Sequence, residues 1–474
     1  MGDHILKFSP LLLLPLLLAA CRPAQPNVVL ILIDDLGWID TGVYGSTFYE
    51  TPNIDRLAAS GIRFTQFYSS GSVCSPTRAS IMTGKHPARL QITNWIGGSA
   101  NGQILQAEYR RALPLEETTL GEIFAQAGYS TAYIGKWHLG TGLFRPDNQG
   151  FEEVFASNDA GAPGSYFAPY INSNFPASNV PGLEADADST YLTDRLADLA
   201  VDYIETNRET PFLLVLSHYS VHTPLQAKKQ DIERFRTTET ATMFEEEQFG
   251  GTTRLTQDHA VYAAMVASVD KSVGRVLQAL EAAELQDNTI VVFTSDNGGL
   301  STLSRGRAWA PTSNQPFRAG KGWLYEGGIR IPLIVSGAQR DPTILDVPGT
   351  TDDLVPTITS LAGLPDPVDV DGLDLFAEPA PERELYWHFP HYHGSANRPS
   401  GAVRQGRYKA IEWFETNSAE LYDLESDPGE TTDISTFEPA KTQELLRKMQ
   451  SWRDEVGARM PSPNPDYSAP PSDS

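Results

Sequence analysis

The strongest constraint on the fold is a set of short, unbroken apolar runs rich in β-branched residues. Residues 27–33 read NVVLILI and stop at Asp34-Asp35, and residues 289–294 read TIVVFT and stop at Ser295-Asp296-Asn297. Similar runs occupy 130–134, 212–216 and 331–335. A strand exposed on one face alternates apolar and polar residues. A run without alternation belongs to a strand covered on both faces, as in a parallel sheet. Helical patterns lie between the runs, at 53–60, 119–127, 191–206 and 260–285. Strand alternating with helix predicts an α/β fold with a large, mostly parallel sheet sandwiched by helices. Sites in such folds form beyond the carboxyl ends of the strands. Polar residues follow those ends here: Asp34 and Asp35, Lys136 and His138, His218 and His222, Asp296 and Asn297.

The texture changes near residue 378. Pro379 and Pro381 with their acidic neighbours read as a linker. Short strand patterns follow at 384–389, 402–404, 408–414 and 420–422, then a helical pattern at 441–456. This predicts a catalytic domain over 21–378 and a C-terminal subdomain over 379–460, an antiparallel sheet with a terminal helix. The Pro/Ser-rich residues 461–474 read as a disordered tail, and the charged stretch 226–254 as an irregular, mobile rim. At the other end, Lys7 precedes an apolar run over 10–20 that is too short to span a bilayer and suits an export signal. Its ending, Leu18-Ala19-Ala20-Cys21, resembles the lipobox of bacterial lipoproteins. That resemblance implies cleavage after residue 20, lipidation of Cys21, and an exported protein, periplasmic or at the cell surface, held to a membrane by its lipid. A formal net charge of −24 argues against nucleic acid as a partner.

With Cys21 used in this way, one cysteine of the two remains, inside GSVCSPTRASIMTG at 71–84. An exported chain with a single thiol cannot form an internal disulfide, so Cys74 calls for another explanation. The spacing Cys74-x-Pro76-x-Arg78 followed by Ile81-Met82-Thr83-Gly84 resembles the first signature of the sulfatase family. GYSTAYIGKWHLG at 128–140 resembles the second. The aspartate pair after the first strand, SDNGG at 295–299, GKGWLYEGGIRIP at 320–332 and ELYDLESDPGE at 420–430 follow in the family's order.

The resemblance implies an alkaline-phosphatase-like fold and a sulfuric ester hydrolase acting on sulfated carbohydrates or aryl sulfates, most simply a bacterial enzyme of sulfated polysaccharide degradation. It implies that Cys74 is the precursor of formylglycine, made by a separate maturase before the chain folds. The hydrated aldehyde would attack sulfur, form a covalent sulfate ester and expel sulfate as the aldehyde re-forms. Asp34, Asp35, Asp296, Asn297 and residue 74 itself match the family's metal ligands. Their oxygen donors suit calcium, or magnesium, rather than zinc. Arg78 matches the arginine supporting the aldehyde hydrate, and Lys136 and Lys321 the sulfate-binding lysines. His138 matches the base for the second hydroxyl, and His222 the acid for the leaving oxygen. His218, four residues before His222, is an alternative for that role or a substrate contact. Trp95, Tyr166, His391 and His393 are candidates for the substrate rim.

Two rival readings remain open at this stage. One is a phosphodiester or phosphonate monoester hydrolase on the same fold. In phosphate-processing relatives a histidine commonly follows the late metal aspartate, whereas this chain has Asn297. The other is an inactive glycan-binding relative, which would have no need of Cys74, Lys136 and His138 together.

Overall fold

The structure is a computed structural model that describes residues 25–236, 242–306, 309–337, 340–378 and 383–468. The leader, Cys21 and the prolines of the expected linker lie outside the described residues.

One sheet organises the molecule. Its strands are β1 (Asn27–Ile33), β2 (Gly61–Phe64), β3 (Ser130–Gly135), β4 (Glu153–Phe155), β5 (Phe212–Ser217), β6 (Thr289–Ser295), β7 (Leu333–Ser336) and β8 (Thr343–Leu345). They lie side by side in the order β8-β2-β7-β6-β1-β5-β3-β4. The strands from β6 to β4 are mutually parallel. The run at 331–335 forms β7, which is antiparallel to both β6 and β2. The sheet is therefore mostly parallel, with a reversed strand near one edge.

The central strand shows why its sequence does not alternate. Val29, Ile31 and Ile33 belong to one apolar cluster, while Val28, Leu30 and Leu32 belong to another. Side chains alternate across a strand, so these clusters are the two faces of the sheet. The first face is covered by α1 (Pro52–Ala59), α4 (Leu192–Thr206) and α5 (Ala260–Ala282). The second is covered by α2 (Cys74–Thr83), α3 (Leu120–Gln126) and α6 (Leu354–Leu361). Burying each Ile or Leu side chain contributes roughly 1.5–3 kcal/mol, which the seven buried residues of β1 exploit on both sides.

The C-terminal subdomain is a four-stranded meander: β9 (Glu384–Phe389), β10 (Ser400–Gln405), β11 (Tyr408–Trp413) and β12 (Ser418–Asp423). Helix α7 (Pro439–Val456) packs Leu445 and Met449 on Val403, Ala410 and Leu421. The opposite face sets Trp387, Ile411 and Trp413 against Trp323, Tyr325 and Ile329 of the larger domain.

Two expectations are corrected. The stretch 226–254 holds a short helix, Lys229–Phe235, and a hairpin, Phe244–Glu247 with Gly251–Arg254, whose second strand pairs with Thr302–Ser304. Arg254 anchors it by donating to the Ala310 carbonyl and pairing with Asp258. The tail is described as far as residue 468, and there it makes contacts that its composition does not announce. Ser462–Pro463 pairs with Ile104–Leu105, and Asn464 donates to the Gly102 carbonyl.

Candidate active site

Three parallel strands, β6 and β1 side by side and β3 beyond β5, deliver acidic or basic groups at their carboxyl ends. Asp34 and Asp35 follow β1, Asp296 and Asn297 follow β6, and Lys136 follows β3. Helix α2 faces them and begins at Cys74. Val73, in extended conformation, precedes it, and Gly84 ends it with φ 69°. Pro76 falls in the first turn, where a missing N–H costs nothing. All ten residues of this helix are buried, and the positive end of its dipole lies at Cys74.

Three cations meet three carboxylates here. Lys136 Nζ donates to Asp34 Oδ2 at 2.6 Å, and Lys321 Nζ to Asp35 Oδ1 at 2.6 Å. Arg78 Nε donates to Asp296 Oδ2 at 2.8 Å. Its Nη1 donates to the Lys136 carbonyl and to Ser217 Oγ, so one guanidinium ties three strand ends together. Its Nη2 is buried without a hydrogen bond, 4.0 Å from Asp34 Oδ1. The Cys74 sulfur lies 3.7 Å from Asp34 Oδ1 and 3.3 Å from Lys321 Nζ.

Burial and the ion pairs act against each other in the electrostatics of the site. Burial raises Asp34 well above the usual carboxylate range, against the pull of Lys136. Burial is outweighed at Asp35 by Lys321 and His222, and at Asp296 by Arg78 and Lys136, so both stay below that range. Burial pushes the Cys74 thiol up to about 11, although Lys136 and Lys321 oppose it.

The donor set fits a hard cation. Asn297 Nδ2 donates to Asp35 Oδ1 at 2.8 Å, while its Oδ1 is buried without a partner. Such an orphaned acceptor needs an explanation, and a cation shared with the three carboxylates supplies one. Asp34, Asp35, Cys74 and His222 also offer ligand atoms within 4.8 Å of one another.

Both expected histidines face the same space. His138 Nε2 lies 3.2 Å from the Ile96 carbonyl, which fixes the proton there and leaves Nδ1 an unpaired lone pair. Gly161 packs on this ring: a Cβ at that residue would stand 2.6 Å from His138 Cε1. His222 Nδ1 bonds the Thr223 carbonyl at 2.7 Å, so Nε2 points to Asp35 Oδ2, 3.7 Å away. Burial and then Lys321 hold His222 down at about 3, against Asp35. Burial and then Lys136 hold His138 well below its usual value.

Asp35, Cys74, His138, His222 and Lys321 line a cavity of about 400 Å³ together with Trp95, Tyr392 and His393. Of the rim candidates, Trp95 and His393 line this cavity. Three others are corrected. His218 is fully buried against α5, its Nε2 2.9 Å from Ser272 Oγ. His391 is buried between Thr93 and Gln106. Tyr166 is buried and donates to the carbonyls of Tyr219 and His222, so it supports the His222 loop from behind. Sequence reasoning missed Ser217, the Ile96 carbonyl and Tyr392. Ser217 closes a legible strand, but the other two sit on loops without periodic signal.

A chain of this geometry is a hydrolase built to hold an oxyanion over a buried acidic centre. The sulfatase family's sequence model matches residues 26–364, and that of the N-sulphoglucosamine sulphohydrolase C-terminal region matches 319–456. N-acetylgalactosamine-6-sulfatase of Rattus norvegicus is 34% identical, over 95% of this chain and 84% of its own length. Arylsulfatase A of Homo sapiens is 32% identical over 93% and 89%. The crystal structure of Ps i-CgsB in complex with k-i-k-neocarrahexaose superposes with a TM-score of 0.74 at 27% identity, covering 90% of this chain and 92% of that one. The chain belongs to the sulfatase family and is a sulfuric ester hydrolase.

Proposed function

We propose that the protein releases inorganic sulfate from sulfated carbohydrates, using formylglycine at position 74 and a calcium ion. The observation that carries this reading is the buried cluster in which Cys74 opens a helix against Asp34, Asp35 and Asp296, with Lys136 and Lys321 in contact and Asn297 Oδ1 unpaired. A thiol pushed up to about 11 is almost wholly protonated at neutral pH, and a protonated thiol is a poor nucleophile. The hydrated aldehyde made from Cys74 would supply an oxygen nucleophile and a second hydroxyl able to expel sulfate. Asp34, Asp35, Asp296 and Asn297 would hold the ion, which supplies positive charge beside the nucleophile and a sulfate oxygen.

The remaining work falls to the chain's own side chains. Lys136 and Lys321 bind the sulfate oxygens and stabilise charge that develops there. Arg78 fixes the strand ends and the position of residue 74. His138, with Nδ1 unpaired, takes the proton of the second hydroxyl. His222, whose Nδ1–H is spent on the Thr223 carbonyl, turns Nε2 towards the leaving oxygen; to act as acid there it takes up a second proton, which a bound anionic sulfate favours.

Two features support a sugar as substrate. Trp95 and Tyr392 rim the cavity, and aromatic faces suit sugar rings. The relatives include one named for N-acetylgalactosamine and one solved with a neocarrahexaose. The enzyme is proposed to work outside the cytoplasm on a lipid anchor at Cys21. The test is hydrolysis of defined sulfated oligosaccharides by matured protein, read by released sulfate and product mass. Peptide mass spectrometry of the same sample reads residue 74. Sulfate release with the aldehyde present is expected; full activity with only the thiol at 74 would overturn the formylglycine reading.

A further inference from the structure

His138 has a backbone conformation that needs holding. Its φ is 58°, in the left-handed region that a residue with a side chain adopts only where its surroundings impose it. One short stretch of chain grips the segment 137–140 at both ends. The Asn158 carbonyl accepts from the Trp137 N–H at 3.2 Å, and Asp159 Oδ1 accepts from the Gly140 N–H at 2.6 Å. Between them the Leu113 N–H donates to the Leu139 carbonyl at 2.8 Å. Two residues beyond Asp159, Gly161 runs along the His138 ring itself.

The gripping stretch is anchored independently of the histidine. Asn158 donates through Nδ2 to the carbonyls of Ser178 and Asn179, at 3.0 and 3.1 Å, and through its N–H to Tyr219 Oη at 3.2 Å. Tyr219 is fully buried, and its hydroxyl donates to the Ala156 carbonyl. Asp159 therefore starts from a fixed base. Burial raises its carboxyl to about 6, against the Gly140 N–H and Lys136. At neutral pH it is still the charged acceptor, which makes the stronger hydrogen bond.

We propose that Asp159 is a positioning residue for His138. Its bond to Gly140 keeps the left-handed turn closed and so keeps the ring in place to take the proton of the second hydroxyl. The proposal rests on the base role given to His138 above. In that step the proton passes from the hydroxyl of residue 74 to the ring. The bond between residue 74 and the sulfate oxygen breaks, and sulfate leaves with the electron pair as the aldehyde re-forms. Attack on sulfur comes earlier and does not use this transfer. A loosened His138 thus slows release alone, which lowers kcat and KM together and leaves kcat/KM in place.

The test uses matured enzyme and nitrophenyl sulfate. Samples quenched in steady state go to peptide mass spectrometry for the sulfate ester on residue 74. Asp159→Ala should lower kcat by about 10–10²-fold, the cost of misplacing a reacting group by about an ångström. Its kcat/KM should hardly change, and the sulfated peptide should accumulate. Asp159→Asn keeps an oxygen for the Gly140 N–H and should restore kcat to near the wild-type value. Asp159→Glu moves that oxygen by one methylene and should resemble Asp159→Ala, so it decides the matter if Asp159→Ala does not fold. Equal losses in kcat and kcat/KM overturn the proposal, because the defect then lies before release. A defect in Asp159→Asn as deep as in Asp159→Ala also overturns it, since the charge and not the bond is then what matters. Wild-type kinetics in both Asp159→Ala and Asp159→Glu do the same. His138→Ala tests the reading beneath. If it accumulates sulfated enzyme and Asp159→Ala does not, the positioning role alone falls. If it leaves residue 74 free of sulfate, the base role falls and the positioning role with it.

Discussion

Two buried ion clusters differ in one respect that separates chemistry from architecture. At the catalytic centre, Arg78, Lys136 and Lys321 face Asp34, Asp35 and Asp296. At the junction with the C-terminal sheet, Lys409 sits between Glu326 and Glu430, 2.9 Å from each. Both are buried, and both shift the acidity of their members. Burial pushes Glu430 up to about 7 because one lysine cannot neutralise two carboxylates, while at Glu326 the pull of Lys409, Arg330 and Arg404 outweighs burial and keeps it below its usual range. A perturbed acidity alone would mark both as functional. The junction, though, is shut in by Tyr68 and Arg330, and Lys409, Glu326 and Glu430 do not line the active-site cavity. The catalytic centre opens on a cavity and keeps buried, unpaired atoms at Asn297, Arg78 and His138. Glu430 Oε1 at the junction, though 2.9 Å from Lys409 Nζ, also lacks a well-directed hydrogen bond, so it is the open space beside the cluster that distinguishes a site from a rivet.

That contrast can be broken by substitution. The largest effect is expected at the centre itself. Asp296→Ala should lower turnover by at least about 10³-fold, the upper range for removing one preorganised electrostatic group, with the fold largely kept by circular dichroism. Chelation should mimic it; full turnover by chelated enzyme would refute the metal assignment.

Next comes His222→Ala, read on two leaving groups. A sugar alkoxide needs a proton to leave and a nitrophenolate hardly does. Sulfated-sugar turnover should therefore drop by about 10²–10⁴-fold and nitrophenyl sulfate turnover far less. His138→Ala should slow both alike. Equal losses in His222→Ala would move the acid role elsewhere, although His218 is too deeply buried to inherit it.

Lys409→Met should do the reverse of Asp296→Ala. It strands two carboxylates in the interior, a loss of about 3–5 kcal/mol of stability, while activity per folded molecule persists. Thermal melts paired with active-site titration separate the two quantities.

The smallest effect concerns pH. The folded state raises Glu430 from its ordinary 4.5 to about 7, so it holds a proton there that the unfolded chain has lost. The stability this provides is complete below about 4.5 and fades as pH rises to about 7. Glu430→Gln should flatten that slope in denaturant titrations run across the window. An unchanged slope would assign it to another group.

The sequence revealed what depends on the pattern of one strand or one motif. Five buried strands were legible because unbroken apolar runs such as 27–33 have few other folded homes. The buried carboxylates, both lysines and both histidines of the cluster stood at strand ends or inside motifs. What stayed hidden is what depends on packing between distant segments. Helix α2 is buried all round and so carries no amphipathic stripe to announce it. The reversed direction of β7 is set by its neighbours and not by its residues. His218 looked as available as His222 until the turn of the chain placed one against Ser272 and the other over Asp35. Tyr166 and His391 look like rim residues by type, yet they spend their polar atoms inside the wall.

The depth of Cys74 also sets a clock. Its side chain is 2% exposed, and its helix is packed between the sheet and the chain that follows Gly349. A small reagent can enter the cavity above it, but another enzyme's active site cannot close around residues 74–78 once they have coiled and docked. If a maturase converts this cysteine, it must do so while the segment is still extended. The proportion of working molecules is then settled during synthesis, as the outcome of a race against folding, and no later incubation of the folded protein can raise it.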